Sequence, residues 1–364
     1  MTKRYKILTV VGARPQFIKV MPVSKYLRKY CWEVLVHTGQ HYDYAMSGIF
    51  FKDLNIHEPD YNLGIGGGTH AEQLAKMVVA IEKLLYKERP DLVLVYGDTN
   101  STLAAALAAV KLKIPVAHVE AGPRSFDLTI PEEVNRVLTD RVSSLLFCPT
   151  KISYENLKRE GYKNNVVFTG DVMLDMLLEA KNLAEKRSKI LDKLKIYPNK
   201  YFYATLHRPH NVDHEKPLSE IIRAFVRLNT QVVFPVHPRT KKNLKKFGLW
   251  KRLNKAHNVI IIKPVGYLDS IQLESNALKI VTDSGGVQRE AYFLKKPCLT
   301  LMDYSPWPET VETGWNKLVK AEEMDLIRAI RNFRPKSKTK KLFGNGKAGK
   351  KIAERIIEYL EEGK

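Results

Sequence analysis

Three carboxylates in this chain stand where proton-transfer groups are needed. Asp98 ends the apolar run Val93-Leu94-Val95-Tyr96-Gly97, and Glu120 ends Val116-Ala117-His118-Val119. Glu132 follows in Pro131-Glu132-Glu133-Val134-Asn135-Arg136, at the start of a helical pattern. Unbroken apolar runs mark strands buried in a parallel sheet, and such sheets bind ligands just beyond the carboxyl ends of their strands. Acids converging there can remove and return a proton. A competing reading makes Asp98 the cap of a helix starting near Ser101. It leaves Glu120 unexplained, because that residue precedes the turn signal Ala121-Gly122-Pro123-Arg124. Glu132 and Arg136, four apart on one helix face, are expected to pair, either as a helix-stabilising ion pair or with Arg136 orienting Glu132 for chemistry.

Anion-binding signals surround these acids. Gly12-Ala13-Arg14-Pro15 follows the first strand and precedes a helix, a phosphate-binding place in α/β folds. It lacks the three spaced glycines of a dinucleotide fingerprint, so no nicotinamide cofactor is expected; Arg14 and Lys19 would supply positive charge directly. The strongest diphosphate signal is Thr282-Asp283-Ser284-Gly285-Gly286, after a strand and opening a helix. Glu290 on that helix could reach ribose hydroxyls. His207-Arg208 and His237-Pro238-Arg239 each follow a strand, and the pairing of histidine with arginine favours anion binding. Gly64 to Thr69 reads as a loop capped by Thr69. Gly344 to Lys350 nearly matches a P-loop but has Lys351 in place of Ser or Thr and no preceding strand. Metal-ligand spacing is absent apart from a weak His41–Asp43 pair, so no metal is expected.

The elements that must position these groups alternate along the chain. Strand runs are expected at Tyr5–Val11, Glu33–His37, Leu92–Tyr96, Pro115–Val119, Leu145–Cys148 and Val166–Thr169, with helices at 16–30, 69–86, 101–111 and 131–142. The pattern restarts with strands at Tyr201–Leu206, Gln231–Val236, Val259–Ile262, Lys279–Thr282 and Cys298–Leu301. Residues 171–194 are polar, helical and strand-free, and are expected to bridge the halves. The fold class is therefore α/β, with two Rossmann-like doubly wound domains facing a cleft.

Composition narrows the class. The 364 residues suffice for two domains, and 44% hydrophobic with 27% charged residues describes a globular protein without a membrane-length apolar stretch. Met1-Thr2-Lys3-Arg4 leads into a strand with no signal-peptide pattern, and Cys31, Cys148 and Cys298 are far apart, so a cytoplasmic location is expected. The net charge of +21 raises nucleic-acid binding. The excess concentrates in residues 241–255 and 336–351, where helical spacing with outward charges is expected and stacking aromatics are lacking. A basic surface suited to an anionic metabolite is the better expectation, with neither nucleic acid nor membrane as partner.

Taken in order, the motifs resemble the non-hydrolysing UDP-N-acetylglucosamine 2-epimerases almost end to end. The resemblance is carried by Gly12-x-Arg14-Pro15 with Lys19, Thr38-Gly39-Gln40-His41, Gly97-Asp98-Thr99, His118-x-Glu120-Ala121-Gly122-x-Arg124 and Pro131-Glu132-Glu133-x-Asn135-Arg136. It continues through His207-Arg208, Asp283-Ser284-Gly285-Gly286-x-Gln288-x-Glu290 and Gly344-x-Gly346-Lys347-Ala348. It implies a glycosyltransferase-B arrangement in which the last helix returns to the first domain. The domains would then be residues 1–170 plus 352–364, carrying the acids, and 171–351, holding UDP. It further implies a homodimer that interconverts UDP-GlcNAc and UDP-ManNAc without a cofactor. By resemblance, Asp98, Glu120 and Glu132 handle protons, His207 assists at the sugar–diphosphate, and Arg136 joins the catalytic set as the partner expected to orient Glu132. Arg14, Lys19, His237, Val265, Ser270, Ser284, Gly285, Gly286 and Glu290 would bind the substrate, with Val265 and Ser270 facing uracil.

Three departures accompany the match. Gln16 stands where the family usually has Glu, and Trp307 occupies the place of a phosphate-facing Arg. Residues Tyr42 to Met46 differ from the segment that bacterial members use for a second, activating substrate molecule, so such activation is not expected. Two related activities share these features: the same chemistry on a UDP-diacetamido-uronate, and sugar transfer by a glycosyltransferase of the same architecture.

Overall fold

The computed structural model describes residues 5–40 and 57–363. The segment from His41 to Met46, on which the expectation of no activating second substrate rests, lies outside the described residues, as does the side chain of Arg14. The chain divides into two compact units, residues 1–178 with 341–364, and residues 179–340.

The first unit holds seven parallel strands: β1 (Tyr5–Val11), β2 (Cys31–His37), β3 (Tyr61–Asn62), β4 (Leu92–Tyr96), β5 (Val116–Val119), β6 (Leu145–Cys148) and β7 (Val166–Phe168). Their order across the sheet is β3-β2-β1-β4-β5-β6-β7. Every residue of β4, β5 and β6 is buried, which is why these runs read as continuously apolar. Sheet order reverses between β1 and β4. That reversal opens a crevice beyond their carboxyl ends, where Gly12 and Asp98 follow.

The second unit holds β8 (Tyr201–Thr205), β9 (Gln231–Pro235), β10 (Val259–Ile262), β11 (Lys279–Thr282), β12 (Cys298–Thr300) and β13 (Asn316–Leu318). They form a parallel sheet in the order β10-β9-β8-β11-β12-β13. Here the reversal falls between β8 and β11, the strands that hand over to His207 and Asp283. Val281, Phe234 and Ala204 share one core with the helices Glu215–Val226 and Glu323–Asn332.

The chain's last helix, Ala348–Glu362, packs on the helix Arg14–Tyr30 of the first unit. Gly349 makes this possible: a Cβ there would lie 2.3 Å from the Pro22 carbonyl oxygen. Its N–H donates to Asp175 at 2.9 Å, and Tyr5 Oη donates to the Leu360 carbonyl at 3.2 Å.

Two expectations change. Residues 336–347 form no helix, and helical structure begins only at Ala348. That stretch, with Pro335, Gly344 and Gly346, lacks the uninterrupted helix formers its lysines suggested. The short edge strands β3 and β13 also join the sheets. Among the described residues no helix is long and apolar enough to cross a membrane.

Candidate active site

Asp98 follows β4 by two residues, but it does not cap the next helix. Thr99 is the N-cap of Asn100–Lys111, its hydroxyl accepting from Thr102 N–H, and so Asp98 is left to face Arg136. Arg136 Nη2 donates to Asp98 Oδ2, and Arg136 Nη1 donates to Glu133 Oε2 at 2.9 Å. Burial alone would lower the Arg136 guanidinium, but Asp98, Glu133 and Glu120 more than offset this and raise it.

The expected Arg136–Glu132 pair is therefore not made. Glu133 is the acid that turns inward: it is buried and accepts from the N–H groups of Ser125 and Phe126 at 3.0 and 2.9 Å. Glu132, one position round the helix Pro131–Val142, is exposed. Residues 133, 136 and 140 share the buried side of this helix, a spacing that was available in the sequence.

Glu120 sits at the end of β5 with φ of +72°, a left-handed conformation uncommon for a residue with a Cβ. Backbone held in that region is a mark of functional sites. Its carboxylate pairs with Lys19 Nζ at 2.8 Å. Gly97 has φ of +64°, and a Cβ on it would lie 3.1 Å from Lys19 Nζ and 4.0 Å from Glu120 Oε1. Because β4 and β5 are neighbours, Asp98 and Glu120 leave the sheet side by side, each with its own cation.

The turn after β1 is shaped by Gln16. Its Oε1 accepts from Gly12 and Ala13 N–H at 2.8 and 2.9 Å, and its Nε2 donates to the Tyr96 carbonyl at 2.7 Å. Those two N–H groups are thus occupied within the protein, and the turn is tied to the end of β4. A Cβ on Gly12 would lie 2.1 Å from both Ser101 Oγ and Thr38 Oγ1.

In the second unit Asp283 is the organising group. It is buried and accepts from the N–H groups of His207 and Arg208, from Asn211 Nδ2 and from His207 Nδ1, the last at 3.1 Å. Burial would raise its carboxyl, but His207, Arg208 and Asn211 together hold it below the usual value. The rings of His207 and His237 lie 5.8 Å apart. Arg239, expected to join His237 in anion binding, is instead engaged by Asp213, with Nε on Oδ1 at 2.8 Å.

Ser284 caps the helix Gly285–Phe293, its hydroxyl accepting from Val287 N–H. The first N–H groups of a helix have no intrahelical partner, and Gly285 and Gly286 carry no side chain of their own to screen them. Glu290, on the same helix, is buried. Burial, followed by the charge of Glu290, pushes the Glu274 carboxyl well above the usual range. Ser270 bonds both Tyr203 Oη and Glu274 Oε1 at 2.9 Å, and Val265 packs on the neighbouring core. Trp307 is buried with its ring 3.9 Å from the Arg289 guanidinium carbon. Its Nε1 would be 3.7 Å from a Cβ on Gly285, beside the glycine turn. Among the described residues no three metal-ligating side chains converge.

Residues 27–357 match the family model described as UDP-N-acetylglucosamine 2-epimerase. The chain belongs to this family. It is 54% identical over 351 residues to a UDP-N-acetylglucosamine 2-epimerase homolog of Methanococcus maripaludis, covering 96% of this chain and 98% of that protein. It is 45% identical over 359 residues to the UDP-2,3-diacetamido-2,3-dideoxy-D-glucuronate 2-epimerase of Pseudomonas aeruginosa, covering 96% and 98%. The crystal structure of Methanocaldococcus jannaschii UDP-GlcNAc 2-epimerase with UDP-GlcNAc and UDP superposes with a TM-score of 0.89 at 47% identity, covering 97% of this chain and 99% of that one. The two parallel sheets, of seven and six strands, are those of the family's glycosyltransferase-B-like fold.

Proposed function

We propose that this chain is a non-hydrolysing epimerase that interconverts UDP-GlcNAc and UDP-ManNAc. The sugar carbon C2 has no adjacent carbonyl, so its proton is too weakly acidic for direct removal. Breaking the C1–O bond to UDP as the C2 proton leaves gives 2-acetamidoglucal and UDP. Returning a proton to the opposite face of C2, and UDP to C1, completes the epimerisation with every atom recovered. This chemistry asks for acids addressing two faces of one carbon and for donors to a departing diphosphate.

The observation that carries the proposal is the pairing of Asp98 with Arg136 and of Glu120 with Lys19 at the ends of adjacent strands. In the proposed assignment Asp98, Glu120 and Glu132 move the proton. Arg136 orients Asp98, and His207, backed by Asp283, serves the sugar–diphosphate. Arg14, Lys19, His237 and the Ser284-Gly285-Gly286 turn favour the diphosphate, Glu290 the ribose, and Val265 with Ser270 the uracil. The proposal extends to a homodimer, which light scattering on the purified chain tests.

The 45% identical relative named for a diacetamido-uronate gives a second substrate specific support. Incubation with each UDP-sugar in turn, followed by NMR of the products, separates them. UDP-ManNAc from UDP-GlcNAc is expected; turnover of the uronate alone would transfer the mechanism to that substrate.

A further inference from the structure

Glu133 divides its two carboxylate oxygens between two tasks. Oε1 accepts from the N–H groups of Ser125 and Phe126 at 3.0 and 2.9 Å, and Oε2 accepts from Arg136 Nη1 at 2.9 Å. The other end of the same guanidinium, Nη2, donates to Asp98 Oδ2. A line of alternating charge therefore runs from Glu133 through Arg136 to Asp98. Exposure rises along it, the three side chains being 1%, 15% and 23% exposed. Glu133 stands at the buried end, so its effect on a bound sugar passes through Arg136.

The main chain around Asp98 is fixed without Arg136. Asn135 Nδ2 donates to the Asp98 carbonyl at 3.0 Å, and His118 Nε2 lies 2.7 Å from the Gly97 carbonyl oxygen. The helix carrying Glu133, Asn135 and Arg136 is itself held further along by Asp140. That carboxylate accepts from Gly122 N–H at 3.1 Å and lies 2.7 Å from Arg124 Nη1. What these contacts leave open is the direction of the Asp98 carboxylate. An arginine anchored at one nitrogen keeps a choice of staggered rotamers, whereas anchoring both ends of its planar fork fixes it. Glu133 supplies the second anchor.

Oε1 serves a separate purpose. Phe126 has φ of +58° and a side chain 78% exposed, so side-chain burial does not hold that conformation, whereas the N–H bond to Glu133 restrains it. We propose that Glu133 is a positioning residue for the reaction: through Oε2 it locks Arg136 in the rotamer that aims the Asp98 carboxylate, apart from the loop anchoring done by Oε1. The kinetic effect rests on the epimerase reading; the orientation of Arg136 does not.

Glu133→Gln separates the two tasks. Its carbonyl oxygen can still accept from Ser125 and Phe126, while its amide nitrogen, a donor, meets the Arg136 Nη1 donor. Turning the amide over would set a donor against two N–H groups instead of one. With UDP-GlcNAc the variant should lose about 10- to 100-fold in kcat with KM within about threefold, as expected when a reacting group shifts by about 1 Å. Wild-type kcat would overturn the proposal. Arg136→Met and the double variant complete a cycle: if Glu133 acts through Arg136, the double variant is no slower than Arg136→Met alone. Losses that multiply would show that Glu133 works elsewhere. The crystal structure of Glu133→Gln should show Arg136 turned off Asp98 with residues 125 and 126 unmoved. Arg136 still on Asp98 overturns the proposal whether or not the protein turns over substrate. Should Glu133→Gln not fold, Arg136→Lys carries the test, because one ammonium does not reproduce a fork with a nitrogen on each acid. A comparable loss in kcat is expected there, and wild-type kcat would overturn the proposal. A wild type that turns over neither UDP-sugar counts against the epimerase reading, and the crystallographic arm then decides the orientation of Arg136.

Discussion

Lys19 Nζ lies 2.8 Å from Glu120 Oε2, and both side chains are buried. Removing one partner of such a pair leaves the other charge without compensation, at about 3–5 kcal/mol. Lys19→Met is therefore expected to lower the urea midpoint and to stop turnover, whereas Lys19→Arg should retain most stability. Wild-type stability in Lys19→Met would show that the pair is not held as described.

Asp98 and Glu120 can be neutralised with little change in shape. Asp98→Asn and Glu120→Gln are each expected to lower epimerisation at least about 100-fold, the scale of general acid–base assistance. Calorimetry should find UDP affinity within about threefold of wild type, because most of the proposed UDP contacts, His237, the Ser284-Gly285-Gly286 turn, Glu290, Val265 and Ser270, belong to the second unit. Turnover retained in both variants would reassign the proton chemistry.

Asp283 makes the second unit acid-sensitive. Its folded carboxyl lies below the ordinary value. Its contribution is thus fully present above the unfolded pKa of about 3.9 and is lost as pH falls through the lower folded value. Asp283→Asn should cost about 1–3 kcal/mol at pH 7, the range for an impaired buried hydrogen-bond acceptor. It should also lose less stability than wild type between pH 5 and pH 3. Urea unfolding at several pH values measures both, and parallel curves for the two proteins would refute the assignment.

Trp307 replaces an expected cation but covers another one, Arg289. Trp307→Ala is expected to cost about 3–5 kcal/mol, as for large buried aromatics. Trp307→Phe keeps a ring over the guanidinium and should lose less than half of that. Equal losses in thermal or urea unfolding would remove the stacking from the account.

How far the sequence led depended on whether the deciding force was local. β4, β5 and β6 were legible because burial on both faces makes their sequences wholly apolar. β13 was not, since Asn316-Lys317-Leu318 is three residues long and joins at the edge of its sheet. Thr99 defeats Asp98 as a cap because it is the residue next to Asn100, where that helix starts; the one-residue shift leaves Asp98 for Arg136. The partner of Arg136 depended on which of two adjacent glutamates turns inward, and the loop N–H groups of Ser125 and Phe126 decide for Glu133. Arg239 likewise meets Asp213, 26 residues away, a tertiary contact that no spacing rule gives. Gln16 was visible only as a departure, and its role appears once its amide is seen bonding Gly12, Ala13 and Tyr96 together.

The central claim is that the C2 hydrogen of the bound sugar leaves as a proton and that a proton exchangeable with solvent is delivered to the opposite face. The most direct measurement is incubation with UDP-GlcNAc in deuterated water, followed by ¹H NMR at C2 of both epimers. Deuterium at C2 of the manno product, with free UDP as a minor species, is the expected result. A manno product that keeps its original C2 hydrogen, or no exchange in either epimer, would contradict the account.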